Sequence, residues 1–324
     1  MLNVLGYSLS VRVMVSGASG QIGTYLLPIL QNRGFTVATL GRHEMQAQEH
    51  GFQIENYIIK DYDLKVINFA LSQFMPDAFV NLASISSVAS CEKNPELSKS
   101  INLDLPLAIL DFIKSGVIGN CLFIQASSSE MYTGVSKQQI SELTEINPRS
   151  VYGKHKAKVH QSLDTYRDLY GVRASGLVLF NNESKLRDDR FASKRIVRDL
   201  VRIKKGLLGE FRMGNDYVLR DWNHPTDTSR AIELIIRNGR VENFVIGSGE
   251  LHSVRELIEV AANLLEIDLS ALTIVKDPQL ARSLENHGLS ADSSKIRREL
   301  GWSPRYTFRE IVEEIVLNEL REFK

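Results

Sequence analysis

Residues 11–23 read VRVMVSGASGQIG, and this stretch decides the fold. A run of β-branched and apolar residues ends at Ser16, and Gly17, Gly20 and Gly23 follow it. Glycines at these positions permit a tight turn, close approach of the backbone to a pyrophosphate, and close packing of a helix on a strand. The start of the following helix would offer free N–H groups and a positive dipole end to an anion. Strand, glycine turn and helix together predict a dinucleotide-binding βαβ unit.

The rest of the chain continues the alternation of short apolar runs with helical patterns. Strand-like runs lie at residues 35–40, 57–59, 78–83, 122–126 and 173–180. Strands that alternate with helices predict a parallel, doubly wound sheet with ligands at the carboxyl ends of its strands. After about residue 182 helical stretches dominate, with short strands between them. We therefore predict an α/β fold with a Rossmann domain over 11–181 and a smaller mixed substrate-binding lobe over 182–324, the chain crossing between them more than once.

The composition is that of an ordinary globular protein. Of the 324 residues, 43% are hydrophobic and 24% charged, and 39 basic residues balance 39 acidic ones. This balance gives no global attraction to nucleic acid or to an anionic membrane, and no apolar run approaches the roughly 20 residues that span a bilayer. Cys91 and Cys121 form neither a CxxC pair nor a zinc spacing. With no signal-peptide pattern at the N-terminus, we expect a cytoplasmic protein without metal, nucleic-acid or membrane binding.

The end of the second predicted strand indicates which dinucleotide is bound. Sites that prefer NAD usually place Asp or Glu there, against the ribose hydroxyls. This chain instead has TLGRH at residues 39–43. Because Arg42 can pair with a 2′-phosphate through a bidentate fork, the sequence predicts NADP.

Two further segments carry candidate catalytic groups. Tyr152 and Lys156 are four residues apart, so on a helix they share a face and the lysine charge favours the phenolate. A tyrosine tuned in this way can take a proton from a sugar hydroxyl. Ser128 and Glu130 follow the strand-like run 122–126, where this fold places its active site. Taken alone, the same residues also fit a serine-capped turn and a solvated glutamate.

The phosphate loop, Ser128, Tyr152 and Lys156 together resemble the extended short-chain dehydrogenase/reductase superfamily. Further motifs resemble its GDP-mannose 4,6-dehydratase family: QASSSEMY at 125–132, PRSVY at 148–152, FNNES at 180–184, LRDWNH at 219–224, HSVRE at 252–256 and LGWSPR at 300–305. Within these motifs Ser128 stands where the family has threonine, and Asn182 where it has histidine.

The resemblance implies roles for individual residues. Ser128, Glu130 and Tyr152 would be catalytic, with Lys156 supporting Tyr152. Together with this tyrosine and lysine, the predicted cofactor site comprises Gly17, Ser19, Gly20, Gln21, Ile22, Gly23, Arg42, Asp61, Tyr62, Leu82, Ala83, Ser84, Ser86, Asn182 and Arg187. The predicted substrate site comprises Ser86, Ser128, Asn181, Lys194, Arg220 and Arg282, in which the arginines would meet a diphosphate.

The resemblance implies a GDP-sugar 4,6-dehydratase that yields a 4-keto-6-deoxy sugar by transient hydride transfer to NADP. An alternative is an NADPH-dependent reductase or epimerase of a GDP-4-keto-6-deoxy sugar, which keeps Tyr152 and Lys156 but needs no base at Glu130. A dinucleotide sensor without catalysis is a third hypothesis. We also expect a homodimer, with a tetramer as an alternative, paired through apolar outer faces of the helix at Tyr152 and the helix around 105–113.

Overall fold

A seven-stranded sheet organises the chain. The computed structural model describes residues 10–46, 53–59, 62–136, 138–277 and 288–323. The strand order is β12-β7-β5-β4-β1-β2-β3, where the strands are β1 (Arg12–Ser16), β2 (Thr36–Gly41), β3 (Ile54–Ile58), β4 (Ala78–Asn81), β5 (Leu122–Ser128), β7 (Ala174–Leu179) and β12 (Phe244–Ile246). The pairs β1–β2, β2–β3, β1–β4 and β4–β5 are all parallel. The doubly wound order places the first strand in the middle of the sheet and confirms the predicted fold class.

Helices and short strand pairs account for the other regular elements. The helices are α1 (Gln21–Asn32), α2 (Leu64–Phe74), α3 (Val88–Lys93), α4 (Pro95–Lys99), α5 (Leu105–Lys114), α6 (Val151–Tyr170), α7 (Ala192–Lys204), α8 (Pro225–Asn238), α9 (Val254–Leu264), α10 (Ser294–Leu300) and α11 (Phe308–Glu322). The short strands are β6 (Gln139–Ile140), β8 (Asn181–Asn182), β9 (Phe211–Met213), β10 (Leu219–Arg220), β11 (Trp222–Asn223), β13 (His252–Ser253), β14 (Ile274–Lys276) and β15 (Ser290–Ala291). No helix within the described ranges combines the length and apolar character needed to cross a membrane.

Two elements differ from the sequence-based expectation. The third strand begins at Ile54, earlier than the predicted run 57–59, because polar residues of an edge strand obscure its pattern. Between α4 and α5 the helix adopts a π-helical turn over Ser100–Asp104, which the sequence pattern does not indicate. Such turns occur mostly as local bulges, frequently at functional sites.

The chain forms two compact units by its contacts. The first comprises residues 1–131, 148–178 and 229–244, and the second comprises 132–147, 179–228 and 245–324. The boundary predicted at 181/182 lies close to one of the crossings, but each predicted range also contains a segment of the other unit. A single boundary therefore describes the chain only in part.

Each unit has its own apolar core. In the first, Phe79 of β4 stacks on Phe123 of β5, with ring centroids 6.0 Å apart, and helical residues such as Leu163 pack against them. In the second, α7, α9 and α11 bury residues that include Val197 and Val312. The central strands are buried along their length, as expected for a parallel sheet covered on both faces.

The glycine loop after β1 depends on the absence of side chains. Gly17 has φ +69°, and a Cβ there would lie 2.6 Å from the backbone nitrogen of Ala83. A Cβ at Gly23 would lie 2.4 Å from the carbonyl oxygen of Ala18. Gly20 caps α1 without a side-chain hydrogen bond. The loop can therefore pack against the end of β4 and lead directly into α1, whose N-terminus carries the positive end of the helix dipole.

We predict that Gly17→Ala destabilises the protein more than Gly34→Ala. Both glycines have positive φ, but a Cβ at Gly34 meets nothing within 4 Å. Gly34→Ala should lower the free energy of unfolding by about 1–2 kcal/mol, the cost of the left-handed backbone. Gly17→Ala adds the clash with the backbone after β4, so its loss should be larger. Equal losses in chemical denaturation would contradict the close approach.

Candidate active site

The start of α6 brings the catalytic candidates together. The Ser150 hydroxyl caps this helix by accepting a hydrogen bond from the backbone N–H of Gly153, at 3.0 Å. A Cβ at Gly153 would lie 2.5 Å from the carbonyl oxygen of Glu130. Glu130 lies in a 3₁₀ turn (Ser129–Tyr132) directly after β5. The first turn of α6 therefore packs closely against the segment that carries Ser128 and Glu130.

Tyr152 lies at the centre of this group. Its phenol lies near the hydroxyls of Ser84 and Ser128, which follow β4 and end β5. Burial raises the pKa of Tyr152 to about 12, and the nearby charge of Glu130 also raises it, whereas the two serine hydroxyls lower it. At neutral pH the phenol is therefore protonated unless positive charge arrives beside it.

Lys156 provides one such charge from the next turn of α6. Its ammonium donates a hydrogen bond to the carbonyl oxygen of Ala126, at 2.9 Å, and lies 5.7 Å from the centroid of the Tyr152 ring. The side chain is 2% exposed. Burial lowers the pKa of Lys156 to about 8, so the ammonium form still predominates at pH 7. The predicted pair thus shares one face of the helix.

Asn102 of the π-helical turn is a positioning residue that sequence reasoning missed. Its side-chain oxygen accepts hydrogen bonds from Ser84 Oγ at 2.8 Å and from the backbone N–H of Ile85 at 3.0 Å. Its side-chain nitrogen donates to the carbonyl of Ile85 at 3.1 Å. These bonds hold the segment that brings Ser84 to Tyr152. The available signal was a lone asparagine in the apolar run INLDL at residues 101–105.

His160 is a second residue that the sequence did not single out. Its Nδ1 and the Oγ of Ser127 share a hydrogen bond of 2.8 Å. A Cβ at Gly176 would lie 2.6 Å from the imidazole, so this glycine makes room for the ring. Because His160 follows Lys156 by four residues, both side chains attach the same face of α6 to the end of β5.

The predicted cofactor residues occupy several places. Gly17, Ser19, Gly20, Gln21, Ile22 and Gly23 form the loop and first turn between β1 and α1, and Leu82, Ala83, Ser84 and Ser86 follow β4. Arg42 is exposed just past the end of β2, and Tyr62 has φ +50°. Asp61 and Arg282 lie outside the described residues. Asn182 is buried in the second unit, where its side chain accepts from Thr228 Oγ1 at 2.7 Å.

A pocket in the second unit collects basic side chains. Its lining includes Asn181, Arg187, Arg195 and Arg220, of which Asn181 and Arg220 were predicted to meet substrate and Arg187 to meet cofactor. Arg195 was not predicted. It is partly buried, and burial lowers the pKa of its guanidinium. Arginines held in a pocket wall suit bidentate contacts with a diphosphate.

Lys194 is directed elsewhere than the sequence suggested. It is 4% exposed, and its ammonium pairs with the buried carboxylate of Glu319 on α11 and donates to the carbonyl of Lys185 at 3.0 Å. It lies outside the lining of the pocket, whereas its neighbour Arg195 belongs to it. Adjacent helical residues point about 100° apart, so the sequence alone could not choose between them.

Arg220 and Asp221 are neighbours in the sequence, but Asp221 has a structural role within the second unit. Its carboxylate accepts hydrogen bonds from the backbone N–H groups of Ser248 and Gly249, both at 2.9 Å, and from that of Ala291 at 2.8 Å. The side chain is 1% exposed. The carboxylate thus joins three backbone segments behind Arg220, and the adjacent arginine is left to line the pocket.

Comparisons with known sequences identify one family, and comparisons with solved structures agree with the fold. The family model described as GDP-mannose 4,6 dehydratase matches residues 14–315. A GDP-mannose 4,6-dehydratase of Vibrio cholerae is 30% identical over 349 residues, covering 96% of this chain and 94% of that protein. A Pseudomonas aeruginosa protein complexed with NADPH has a TM-score of 0.79 at 22% identity, covering 96% of this chain and 100% of the other. The dTDP-glucose 4,6-dehydratase of Bacillus anthracis, in complex with NAD, has a TM-score of 0.80 at 19% identity, covering 96% and 97%.

We predict that His160 makes stability depend on pH in a defined window. Burial lowers the pKa of His160 to about 4 from an ordinary 6.5. The unfolded chain therefore binds the proton more readily, so the contribution of the neutral ring is complete above pH 6.5 and is lost as pH falls towards 4. The free energy of unfolding of His160→Gln should decline less steeply across this window than that of the parent. The exposed control His43→Gln should keep the parental slope, and an unchanged slope in His160→Gln would refute the assignment.

Proposed function

Because the chain belongs to the GDP-mannose 4,6-dehydratase family, we propose that it is a nucleotide-sugar 4,6-dehydratase acting on GDP-mannose or a related GDP-sugar. The observation that carries this proposal is the position of Glu130, whose backbone carbonyl packs against Gly153 of α6 and whose charge acts on Tyr152. Simple hydride transfer needs only the Ser128 hydroxyl, the Tyr152 phenol and the Lys156 ammonium. Elimination of water needs one more base, and Glu130 supplies it.

Each residue has a distinct task in this reaction. Tyr152 takes the proton of the C4 hydroxyl, while Ser128 holds the same oxygen by a hydrogen bond. A nicotinamide cofactor bound at the glycine loop would supply the hydride acceptor for oxidation at C4 and the hydride donor for C6, without net consumption. The C4 ketone acidifies C5, and Glu130 removes that proton. Glu130 passes that proton to the C6 hydroxyl, which leaves as water. The resulting 4-keto-5,6-ene becomes the 4-keto-6-deoxy sugar when hydride is added at C6 and the proton held by Tyr152 is delivered to C5.

The high pKa of free Tyr152 sets a requirement on this step. A phenol with a pKa of about 12 is a poor base at neutral pH until its charged form is stabilised. The Lys156 ammonium supplies part of that stabilisation, and the positive charge of an oxidised nicotinamide supplies more. Tyr152 would therefore become a competent base mainly in the complex with cofactor.

NADP is the cofactor that we propose. The tight glycine turn at Gly17 and the N-terminal end of α1 that follows it fit a pyrophosphate. Arg42 is exposed directly after β2, where a guanidinium can pair with a 2′-phosphate. Related folds bind either NADPH or NAD, so the choice rests on Arg42.

The second unit would hold the nucleotide part of the substrate. Arg187, Arg195 and Arg220 line its pocket together with Asn181. Charge-assisted hydrogen bonds from guanidinium groups are the strongest donors available for a diphosphate. This supports a nucleoside diphosphate sugar as the substrate class, with GDP inferred from the family.

A homodimer, with a tetramer as an alternative, remains our proposal for the assembly. The exposed positions of α6 do not form the apolar face that the sequence analysis expected. They carry mainly polar and charged side chains, among them Lys154, Lys158, Gln161 and Thr165. An interface through this helix would therefore depend on polar contacts as much as on apolar burial.

We predict that Glu130→Gln separates elimination from oxidation. Incubation with GDP-, CDP-, UDP- and dTDP-sugars, followed by mass spectrometry, should reveal loss of water from a GDP-sugar with the parent. In Glu130→Gln this product should fall by about 10²–10⁴-fold, while transient cofactor reduction persists. Tyr152→Phe should abolish that reduction, and Glu96→Gln, an exposed control on α4, should behave as the parent. Parental turnover by Glu130→Gln, or stoichiometric NADPH consumption, would favour the reductase alternative.

We predict that Arg42→Ala weakens NADP binding selectively. Loss of a charge-assisted contact should raise the dissociation constant for NADP by about tenfold or more, and leave that for NAD nearly unchanged. Lys93→Ala, which removes another exposed cation, serves as the control. Fluorescence titration of the apo protein measures both. Tighter binding of NAD than NADP by the parent would count against the proposal.

A further inference from the structure

Three buried polar side chains form a hydrogen-bonded row across the middle of the main sheet. Ser16 Oγ, at the end of β1, donates to Asn81 Oδ1 of β4 at 2.7 Å. Asn81 Nδ2 donates to Gln125 Oε1 of β5 at 2.8 Å. The strand register places Ser16 beside Asn81, and Asn81 beside Gln125. The row therefore follows from the pairing of three neighbouring strands.

The row ends at the acceptor that holds Lys156. Gln125 Nε2 donates to the carbonyl oxygen of Ala126 at 2.9 Å. The Lys156 ammonium donates to the same oxygen, also at 2.9 Å. One carbonyl is thus shared between the last member of the row and the lysine beside Tyr152.

The other end of the row lies at the phosphate loop. Ser16 directly precedes Gly17, and Ser16 Oγ accepts a hydrogen bond from the backbone N–H of Ala83 at 3.5 Å. Ala83 is the residue whose nitrogen would meet a Cβ at Gly17. A continuous chain of contacts therefore joins the loop after β1 to Lys156, all within the first unit.

Burial makes this row costly to break. Ser16, Asn81 and Gln125 are exposed by 2% or less, and a buried polar group that loses its partner is destabilising because water cannot replace the lost hydrogen bond. Every bond runs in the same direction, from hydroxyl to amide to amide to carbonyl, so each donor polarises the next. A row of this kind can hold its last acceptor in one position.

The Ala126 carbonyl is important for Lys156 because no charged partner is found among the described residues that face the ammonium. The groups that face the ammonium are Tyr152, from its own helix, and Cys91, from α3. Burial raises the pKa of the Cys91 thiol, so at neutral pH this group is uncharged. The position of the ammonium therefore depends on the Ala126 oxygen rather than on a counter-ion.

We propose that Gln125, held by Asn81, is a positioning residue of the reaction that fixes the Lys156 ammonium beside Tyr152 through the shared carbonyl of Ala126. The expected effect on kcat rests on the proposed function, whereas the expected effect on the Lys156 titration does not. The Gln125 amide also restrains the carbonyl, because its hydrogen and those of the ammonium compete for one oxygen. Removing the amide donor leaves that oxygen to Lys156 alone, which stabilises the ammonium form, but the carbonyl itself is no longer fixed, so the ammonium shifts with it away from its place beside Tyr152.

The experiment is a double-mutant cycle in the full-length protein. Gln125→Met keeps a side chain of similar length but removes the hydrogen bonds of Gln125 to Asn81 and to the Ala126 carbonyl. Asn81→Leu removes only the bond between Asn81 and Gln125. The double variant combines the two substitutions. Ser175→Ala is the control, because it removes a buried hydrogen bond of β7 to the carbonyl of Glu242 without touching Ala126. Gln125→Glu is a second probe, which keeps an acceptor for Asn81 but has no N–H for Ala126. The readouts are kcat and KM with a GDP-sugar, and the NMR titration midpoint of Lys156 in lysine-labelled protein, assigned with Lys156→Met.

Gln125→Met should lower kcat by about 10–100-fold, a loss typical of a misplaced catalytic group, with KM changed less than about twofold. Its Lys156 midpoint should rise by about half a pH unit or more, as should that of Gln125→Glu. The double variant should match Gln125→Met in both readouts, because both residues act through one path. Ser175→Ala should leave both unchanged.

Additive effects of Asn81→Leu and Gln125→Met, or equal effects of Ser175→Ala, would reduce the row to a general contribution to stability and overturn the inference. So would an unchanged Lys156 midpoint in both Gln125 variants. If the parent dehydrates no nucleotide-sugar, the proposed function fails, while the titration still decides whether Gln125 positions Lys156.

Discussion

The attachment of one helix to the end of one strand is the constraint on which the active site depends. Lys156 and His160 are both buried polar residues, and they bind the backbone of Ala126 and the side chain of Ser127 in β5. A buried donor without a partner is costly, so these bonds permit little sliding of α6 along the sheet. Tyr152, one turn earlier on the same face, is thereby held against the serine that ends β5.

Buried polar side chains also satisfy several hydrogen-bonding groups at once at positions away from the catalytic residues. Asn102 satisfies both backbone groups of Ile85 and the Ser84 hydroxyl. Asp221 collects three backbone N–H groups in the second unit. In both cases a side chain that touches no expected ligand determines where its neighbour lies. In the segment 219–224, Arg220 lines the pocket while Asp221 holds neighbouring backbone.

Electrostatics link the site to its proposed cofactor. Burial raises the pKa of Tyr152 and lowers that of Lys156, so the protein alone does not favour a phenolate with an ammonium beside it. Such a site would gain its reactive ionisation state when an oxidised nicotinamide adds positive charge. A dehydratase that retains its cofactor through each cycle would benefit from this dependence, because the base is formed only in the complex that can accept hydride.

Short-range patterns in the sequence were enough to predict the fold class, the elements around the glycine loop, and Tyr152 and Lys156 as a pair on one helix face, whereas Ser128 and Glu130 joined this pair through the family resemblance. The short-range predictions follow from local rules, since glycine spacing, apolar periodicity and helical i, i+4 geometry are all encoded in short segments. No local pattern shows that Arg195 lines the pocket while Lys194 pairs with Glu319, because this depends on how α7 packs against α11. The tertiary structure alone decided that Asn81 and Gln125 form a row ending at Lys156. Such partners lie far apart in the sequence, and strand register and helix packing bring them together.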